Sequence, residues 1–353
     1  MDSQKLFNDL VNTVIREGGS DLHLTAGRRP VIRVAGRLYP MAKEPELAAK
    51  DTEAILRVLV SEEKFKKFLE TQEVDFSYTT AQNARFRGNA FFQLGMISIA
   101  LRLIPAVIKT LSELNLPPAL EQFCRLEQGF FLVVGPVGHG KSTTLAALLD
   151  IVNKERAAHI VTIEDPIEYL FTPAQSLIDQ RELGMDTRAF HAALQSVFRQ
   201  DVDVLMIGEM RGPDTMATAV TAAETGHLVF STLHTNNAPQ TIDRIIDTFP
   251  PEQQGQIRAQ LSQSLAGIFS QRLVQRVSGG LIPAYELLIN NSAIANLIRE
   301  GRTHEINVVI ETGSGDGMVT LNRTLADLVR RGEITPDSAM LYSLNPEGLE
   351  QML

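Results

Sequence analysis

The sequence predicts an α/β protein in which a small α+β module precedes a larger, mainly parallel sheet and a helical C-terminal region. Three observations carry this. Helical and alternating apolar patterns are mixed over about the first hundred residues. After Leu116-Pro117-Pro118, apolar runs alternate with amphipathic segments in a βαβα rhythm, which predicts parallel strands covered on both faces. From Pro250 onward the pattern reads as predominantly helical.

Lys5 to Glu17 reads as a helix with Leu6, Leu10 and Val14 on one stripe, ended by Gly18-Gly19. Strands follow at Asp21–Leu24, Val31–Val34 and Arg37–Tyr39, then an amphipathic helix from Asp51 to Glu70. Three more strands are expected at Val74–Tyr78, Arg85–Phe92 and Ile97–Ile104. Pro105 and Pro117-Pro118 bracket a linker, so the expected division is 1–104, a linker over 105–118, and 119–353. In the second part the strands are Phe130–Val134, Ile160–Ile163, Val204–Ile207 and Leu228–Thr232. The helices between them start at Lys141, Arg188 and Asp214.

At 353 residues the chain is long enough for two cores. With 44% hydrophobic and 21% charged residues it has an ordinary globular composition, and no apolar run approaches a membrane span. Met1-Asp2-Ser3-Gln4-Lys5 lacks the apolar core of a signal peptide. Cys124 is the single cysteine, which excludes an intramolecular disulfide and a cysteine zinc site and makes the cytoplasm the expected compartment. The net charge of −9 argues against a broad nucleic-acid or anionic-membrane surface.

The segment Gly135-Pro136-Val137-Gly138-His139-Gly140-Lys141-Ser142-Thr143 fits G-x-x-x-x-G-K-[ST] between a strand and a helix. Glycines let backbone N–H groups wrap a polyphosphate at the positive end of the helix. Lys141 can reach the β- and γ-phosphates, and Ser142 can offer a hydroxyl to Mg²⁺. The chain is therefore expected to bind a nucleoside triphosphate.

Ligands of open parallel sheets lie beyond the carboxyl ends of the strands. Those ends carry the P-loop, Glu164-Asp165, Gly208-Glu209 and Ser231-Thr232-Leu233-His234. Glu209 takes the place of a Walker B acid, holding Mg²⁺ through water, and Glu164 or Asp165 can orient the attacking water. The competing reading of Glu164-Asp165-Pro166 is a turn with solvated or capping carboxylates. His227 and His234 lie seven residues apart, without cysteines and not at the i, i+4 spacing of a helical metal pair. His234 suits a γ-phosphate sensor, and His227 is open to a structural or a functional role. Arg85, Arg87, Arg102, Arg199 and Arg211 are candidate sources of positive charge, weighed against a solvated strand face or ordinary ion pairing.

Residues 135–144, 161–169 (Val-Thr-Ile-Glu-Asp-Pro-Ile-Glu-Tyr), 207–211 (Ile-Gly-Glu-Met-Arg) and 224–235 resemble the Walker A, Asp-box, Walker B and His-box of the secretion ATPases. Within them the chain is most similar to the retraction ATPases of bacterial type IV pili, through residues 19–24, 84–91 and 296–304. The resemblance covers nearly the whole chain. It implies a PAS-like N-terminal domain, a RecA-like P-loop ATPase domain and a homo-hexameric ring that hydrolyses ATP with Mg²⁺ to drive pilus disassembly. It implies Glu164 as catalytic base, Glu209 acting on Mg²⁺, and His227 and His234 as the His-box pair. It also implies that Arg85, Arg87 and Arg102 are brought to the nucleotide from the N-terminal domain.

The implied partners are an integral-membrane platform protein and a paralogous retraction ATPase. Attachment to the inner membrane is peripheral, with no direct membrane insertion and no direct nucleic acid. The chain lacks the four-cysteine zinc subdomain of the assembly and secretion relatives, which favours the retraction branch.

Three positions depart from the family pattern. His139 stands for a small Ser or Thr, Gly95 for a frequent arginine, and Ala295 for the arginine of an Ala-Ile-Arg-Asn-Leu-Ile-Arg-Glu motif associated with retraction. Ala295 and Gly95 motivate the rival reading of a nucleotide-binding accessory or regulatory subunit. A DNA-translocating RecA-like motor is opposed by the acidic balance.

Overall fold

A computed structural model of the chain describes residues 3–81 and 84–353. Met1 and Asp2, read above as part of a non-apolar N-terminus, lie outside the described residues. Packing separates two compact units, one reaching to Val107 and including Glu168–Leu170, the other formed by Ile108–Ile167 and Phe171–Leu353.

The first unit contains α1 (Ser3–Arg16), β1 (Gly19–Thr25), β2 (Val31–Val34), β3 (Arg37–Pro40), α2 (Ala49–Leu59), α3 (Glu62–Thr71), β4 (Glu73–Thr79), β5 (Arg85–Gln93) and β6 (Met96–Leu103). Its strands form an antiparallel sheet in the order β3-β2-β1-β6-β5-β4. Leu22, Leu24, Phe86, Ala90, Ile99 and Leu101 share one face and join the core with Phe7, Leu10 and Val14 of α1, Leu56 of α2 and Phe68 of α3. The period-2 alternation of the strands thus meets the 3.6-residue stripe of the helices.

The single helix expected over residues 51–70 is in fact two. Val60 turns extended, and the Ser61 hydroxyl accepts a hydrogen bond from the Lys64 N–H, which caps and restarts the helix. A serine followed by Glu62-Glu63 is a helix-start signal inside a continuous amphipathic pattern. The hairpin between β5 and β6 turns on Leu94 and Gly95, both with positive φ (51° and 75°). Gly95 thus occupies a position where a side chain would be strained.

The second unit contains α4 (Glu121–Cys124), β7 (Gly129–Val134), α5 (Lys141–Glu155), β8 (His159–Glu164), β9 (Leu177–Glu182), α6 (Phe190–Val197), β10 (Val204–Ile207), α7 (Pro213–Glu224), β11 (Leu228–Leu233), α8 (Ala238–Asp247) and α9 (Pro251–Ser264). These are followed by β12 (Leu265–Gln275), β13 (Leu281–Ile289), α10 (Ser292–Glu300), α11 (Ile306–Thr312), α12 (Leu321–Arg330), α13 (Pro336–Tyr342) and α14 (Pro346–Glu350). The sheet order is β13-β12-β7-β11-β10-β8-β9, parallel except for β13.

Both faces of the sheet are covered. Phe130, Leu132 and Val134 pack with residues of α6 to α11, whereas Phe131 and Val133 pack with α4 and α5. That is why the central strands read as continuous apolar runs. The segment from Pro250 is not predominantly helical throughout. Its β12–β13 hairpin, turning on Gly279 and Gly280 at positive φ (89° and 81°), inserts beside β7. Leu111 and Leu116, within the segment read as a linker, are buried in this unit's core.

Candidate functional site at the carboxyl edge of the sheet

Strands β7, β11, β10 and β8 are neighbours in that order. Their carboxyl ends therefore set Gly135, His234, Glu209 and Glu164 along one edge, as the sequence pattern predicted. The loop from Gly135 to Gly140 leaves β7 with Gly135, Gly138 and Gly140 at φ of 144°, 79° and 81°. At Gly135 a Cβ would lie 2.3 Å from the Gln271 carbonyl oxygen, so β12 forms a wall directly behind the loop. Gly140 is the residue from which α5 starts, and Lys141, Ser142 and Thr143 occupy its first turn, with N–H groups at the positive end of the helix.

Lys141 is buried, with Nζ donating to the carbonyls of Gly135 and Pro136 (both 2.9 Å). The same ammonium lies 3.2 Å from His234 Nδ1. An ammonium has no acceptor lone pair, so Nδ1 accepts and the ring proton sits on Nε2, which faces Glu209 Oε1 at 3.5 Å. His234 thus bridges the P-loop lysine and the β10 acid. Burial, with the Lys141 and Arg211 charges outweighing Glu209, holds its pKa below the usual histidine range. The imidazole is neutral at neutral pH. Arg211 pairs with Glu209 (3.0 Å) and approaches Asp165 (3.8 Å). Beside these groups a pocket of about 380 Å³ opens between Glu209, Arg211, His234, Gln240 and Arg244.

Glu164 is buried at the end of β8. Its Oε1 accepts from the Thr162 hydroxyl (2.6 Å) and from Gln180 Nε2 (3.2 Å) on β9. Its neighbour Asp165 is exposed and faces Arg211. The two carboxylates of the Glu-Asp pair are thus separated by environment, and only Glu164 is set in a buried, oriented position.

His227 is not brought to this edge. It precedes β11, about 23 Å from His234 at the strand rise of 3.3 Å per residue. Its Nδ1 faces the Ala222 carbonyl (3.1 Å), and its ring packs edge-on against Phe198. Arg85, Arg87 and Arg102 belong to the first unit. Arg87 and Arg102 are cross-strand partners on β5 and β6, opposite the helix-covered face, and Arg102 donates to the buried Asp21 at 2.8 Å. Burial raises the Asp21 pKa, but the Ser20 hydroxyl and Arg102 more than offset this and hold it below the usual carboxylate range.

Several residues of the site escaped the sequence reading. Gln271 accepts from the Thr144 hydroxyl (2.6 Å) and donates to the His139 carbonyl (2.9 Å). His139 Nδ1 in turn accepts from the Leu273 N–H (2.9 Å), so this departure in the loop is an anchored residue, with its pKa lowered by burial, Arg272 and Lys141. The one available signal was Ser278-Gly279-Gly280 between two alternating apolar runs, a hairpin pattern. Nothing in it says which strand would lie behind the P-loop.

A doubly covered parallel sheet with a P-loop on β7 and acids on the neighbouring strand ends defines a P-loop nucleotide-binding protein. The model of the type II/IV secretion system protein family matches residues 3–322, and the chain belongs to that family. It is 42% identical to the type IV pilus retraction ATPase PilT of Pseudomonas aeruginosa over 94% of this chain and 96% of that one. To the type IV pilus ATPase PilU of the same organism it is 39% identical, covering 98% and 91%. A crystal structure of the pilus retraction motor PilT with bound ADP superposes with a TM-score of 0.91 at 44% identity, over 97% of this chain and 98% of that one.

Proposed function

We propose that this chain is an ATP-hydrolysing motor of type IV pilus retraction, working as a homo-hexamer. The observation that carries the reading is the convergence of the P-loop, Glu164 and the Lys141–His234–Glu209 chain at adjacent strand ends. The likeness to PilT along nearly the full length of both chains supports it.

In this reading the backbone N–H groups of residues 137–143, at the N-terminus of α5, hold the phosphates. Lys141 Nζ turns from its loop carbonyls to the β/γ oxygens. Glu164, oriented by Thr162 and Gln180, accepts a proton from water as the water oxygen bonds to the γ-phosphorus. The bond from that phosphorus to the bridging oxygen breaks, and ADP carries away its electron pair. His234, neutral and with its proton on Nε2, registers the γ-phosphate beside Glu209.

The Ser142 hydroxyl and the Glu209 carboxylate are hard oxygen donors of the kind Mg²⁺ takes. No cluster of three or more His, Cys, Asp or Glu able to hold a metal occurs among the described residues. Held by Ser142 and Glu209, an Mg²⁺ ion would supply positive charge against the phosphate oxygens.

Arg85, Arg87 and Arg102 supply positive charge to the nucleotide within the ring. His227 anchors the turn between α7 and β11 and stays outside the phosphate chemistry of its own subunit. No helix among the described residues is long and apolar enough to cross a membrane. In this reading the motor works in the cytoplasm and attaches to the inner membrane through an integral platform protein, with a paralogous ATPase as a further partner. Deleting the gene should abolish pilus retraction, and a Glu164→Gln copy should fail to restore it. Restoration by that copy would favour the accessory-subunit reading.

A further inference from the structure

β12 is longer than the strand it flanks. Ser270 pairs with Val134, the last residue of β7, so residues 271–275 run on past the sheet edge and along the site. Successive side chains of a strand point to opposite faces, and here each face grips a different part of the site. On one face Gln271 bridges the Thr144 hydroxyl of α5 and the His139 carbonyl of the P-loop, and the Leu273 N–H holds His139 Nδ1. On the other, the Ser270 hydroxyl donates to the Asn236 carbonyl (2.9 Å), and Arg272 Nη2 donates to the Asn236 side-chain oxygen (3.1 Å). Glu286, directly opposite Ser270 on β13, accepts from the Ala238 N–H at the start of α8 (2.8 Å). Asn236 and Ala238 belong to the turn that follows His234.

We propose that β12 is a two-faced clamp: Gln271 and Leu273 fix the P-loop, while Ser270 and Arg272, with Glu286 beside them, fix the turn that carries His234. These are positioning residues. They act through the Lys141 loop and through His234, and they set the one against the other. The Gln271–Thr144 and Glu286–Ala238 bonds are buried at both ends, so losing either leaves a partner without water to replace it. The inference rests on the reading of this edge as the ATP site.

The two faces should separate in kinetics. Gln271→Met removes both side-chain bonds, one to the loop and one to α5, at nearly constant volume, and it should raise KM for ATP about tenfold with kcat within about twofold. Ser270→Ala combined with Asn236→Ala frees the His234 turn, and it should lower kcat about tenfold while KM stays within about twofold. Thr144→Val removes the Gln271 bond from the helix side. Added to Gln271→Met it should cost no more than Gln271→Met alone, because the bond is already broken. If Gln271→Met does not fold, Thr144→Val alone must show the KM effect.

Equal changes of KM and kcat from both faces would overturn the clamp. So would a fully additive Gln271/Thr144 pair, or variants altered only in thermal stability. A Lys141→Ala chain that still turns over would instead overturn the assignment of the site, leaving the two failures distinguishable.

Discussion

Gly135 and Glu286 each have a measurable consequence. A methyl at Gly135 would meet the Gln271 carbonyl at 2.3 Å on a backbone with φ of 144°, whereas at Gly138 nothing lies within 4 Å and only the φ of 79° opposes it. Gly135→Ala should therefore cost at least about 3 kcal/mol in denaturant unfolding, and Gly138→Ala only about 1 kcal/mol. Glu286 has its pKa pushed up to about 7 from 4.5, because burial outweighs its hydrogen bond from Ala238 and the Arg272 charge. Below pH 4.5 the carboxyl is protonated in the folded and the unfolded chain alike. Between 4.5 and about 7 the unfolded chain ionises first, so stability falls as pH rises and then levels off. Glu286→Gln removes that loss. Relative to wild type, the variant should gain about 3 kcal/mol between pH 4 and pH 8 in urea unfolding. A constant difference would show that Glu286 ionises normally.

Elements show how far local pattern reaches. The break between α2 and α3 rests on Ser61, and Ser61→Ala should destabilise the first unit by about 1 kcal/mol in its thermal midpoint. That cap is visible in the sequence as Ser61-Glu62-Glu63, but the amphipathic stripe on both sides hides it. All four strands expected in the second part exist, because buried parallel strands announce themselves as apolar runs such as Phe130–Val134. The P-loop and the strand-end acids were legible for the same reason, since a local motif fixes their position on the edge. The hairpin β12–β13 was not. Leu265–Gln275 carries Ser270, Gln271 and Arg272 in its interior, polar residues that look wrong for a core strand until their partners are known. Those partners, Asn236, His139 and Thr144, lie between 34 and 132 residues away. The polar interior of β12 is the part of the site that only the fold supplies.

At the scale of the whole molecule, each unit has its own sheet and core, and the nucleotide edge belongs to the second. Arg87 and Arg102 lie on the first unit's sheet face opposite its helices, with Arg102 held by Asp21. If these arginines serve the nucleotide, Asp21→Ala should free Arg102 and shift KM for ATP, with kcat per folded subunit changing less. Little change in either constant would remove them from the site. The acidic net charge of −9 predicts that DNA leaves turnover unchanged, and stimulation by DNA would point to a nucleic-acid motor. The most direct test of the whole account is steady-state phosphate release from ATP by purified wild-type chain, Lys141→Ala and Glu164→Gln. Mg²⁺-dependent turnover is expected of the wild type, reduced by roughly 100-fold or more in both variants. Turnover in either variant equal to that of the wild type would contradict it.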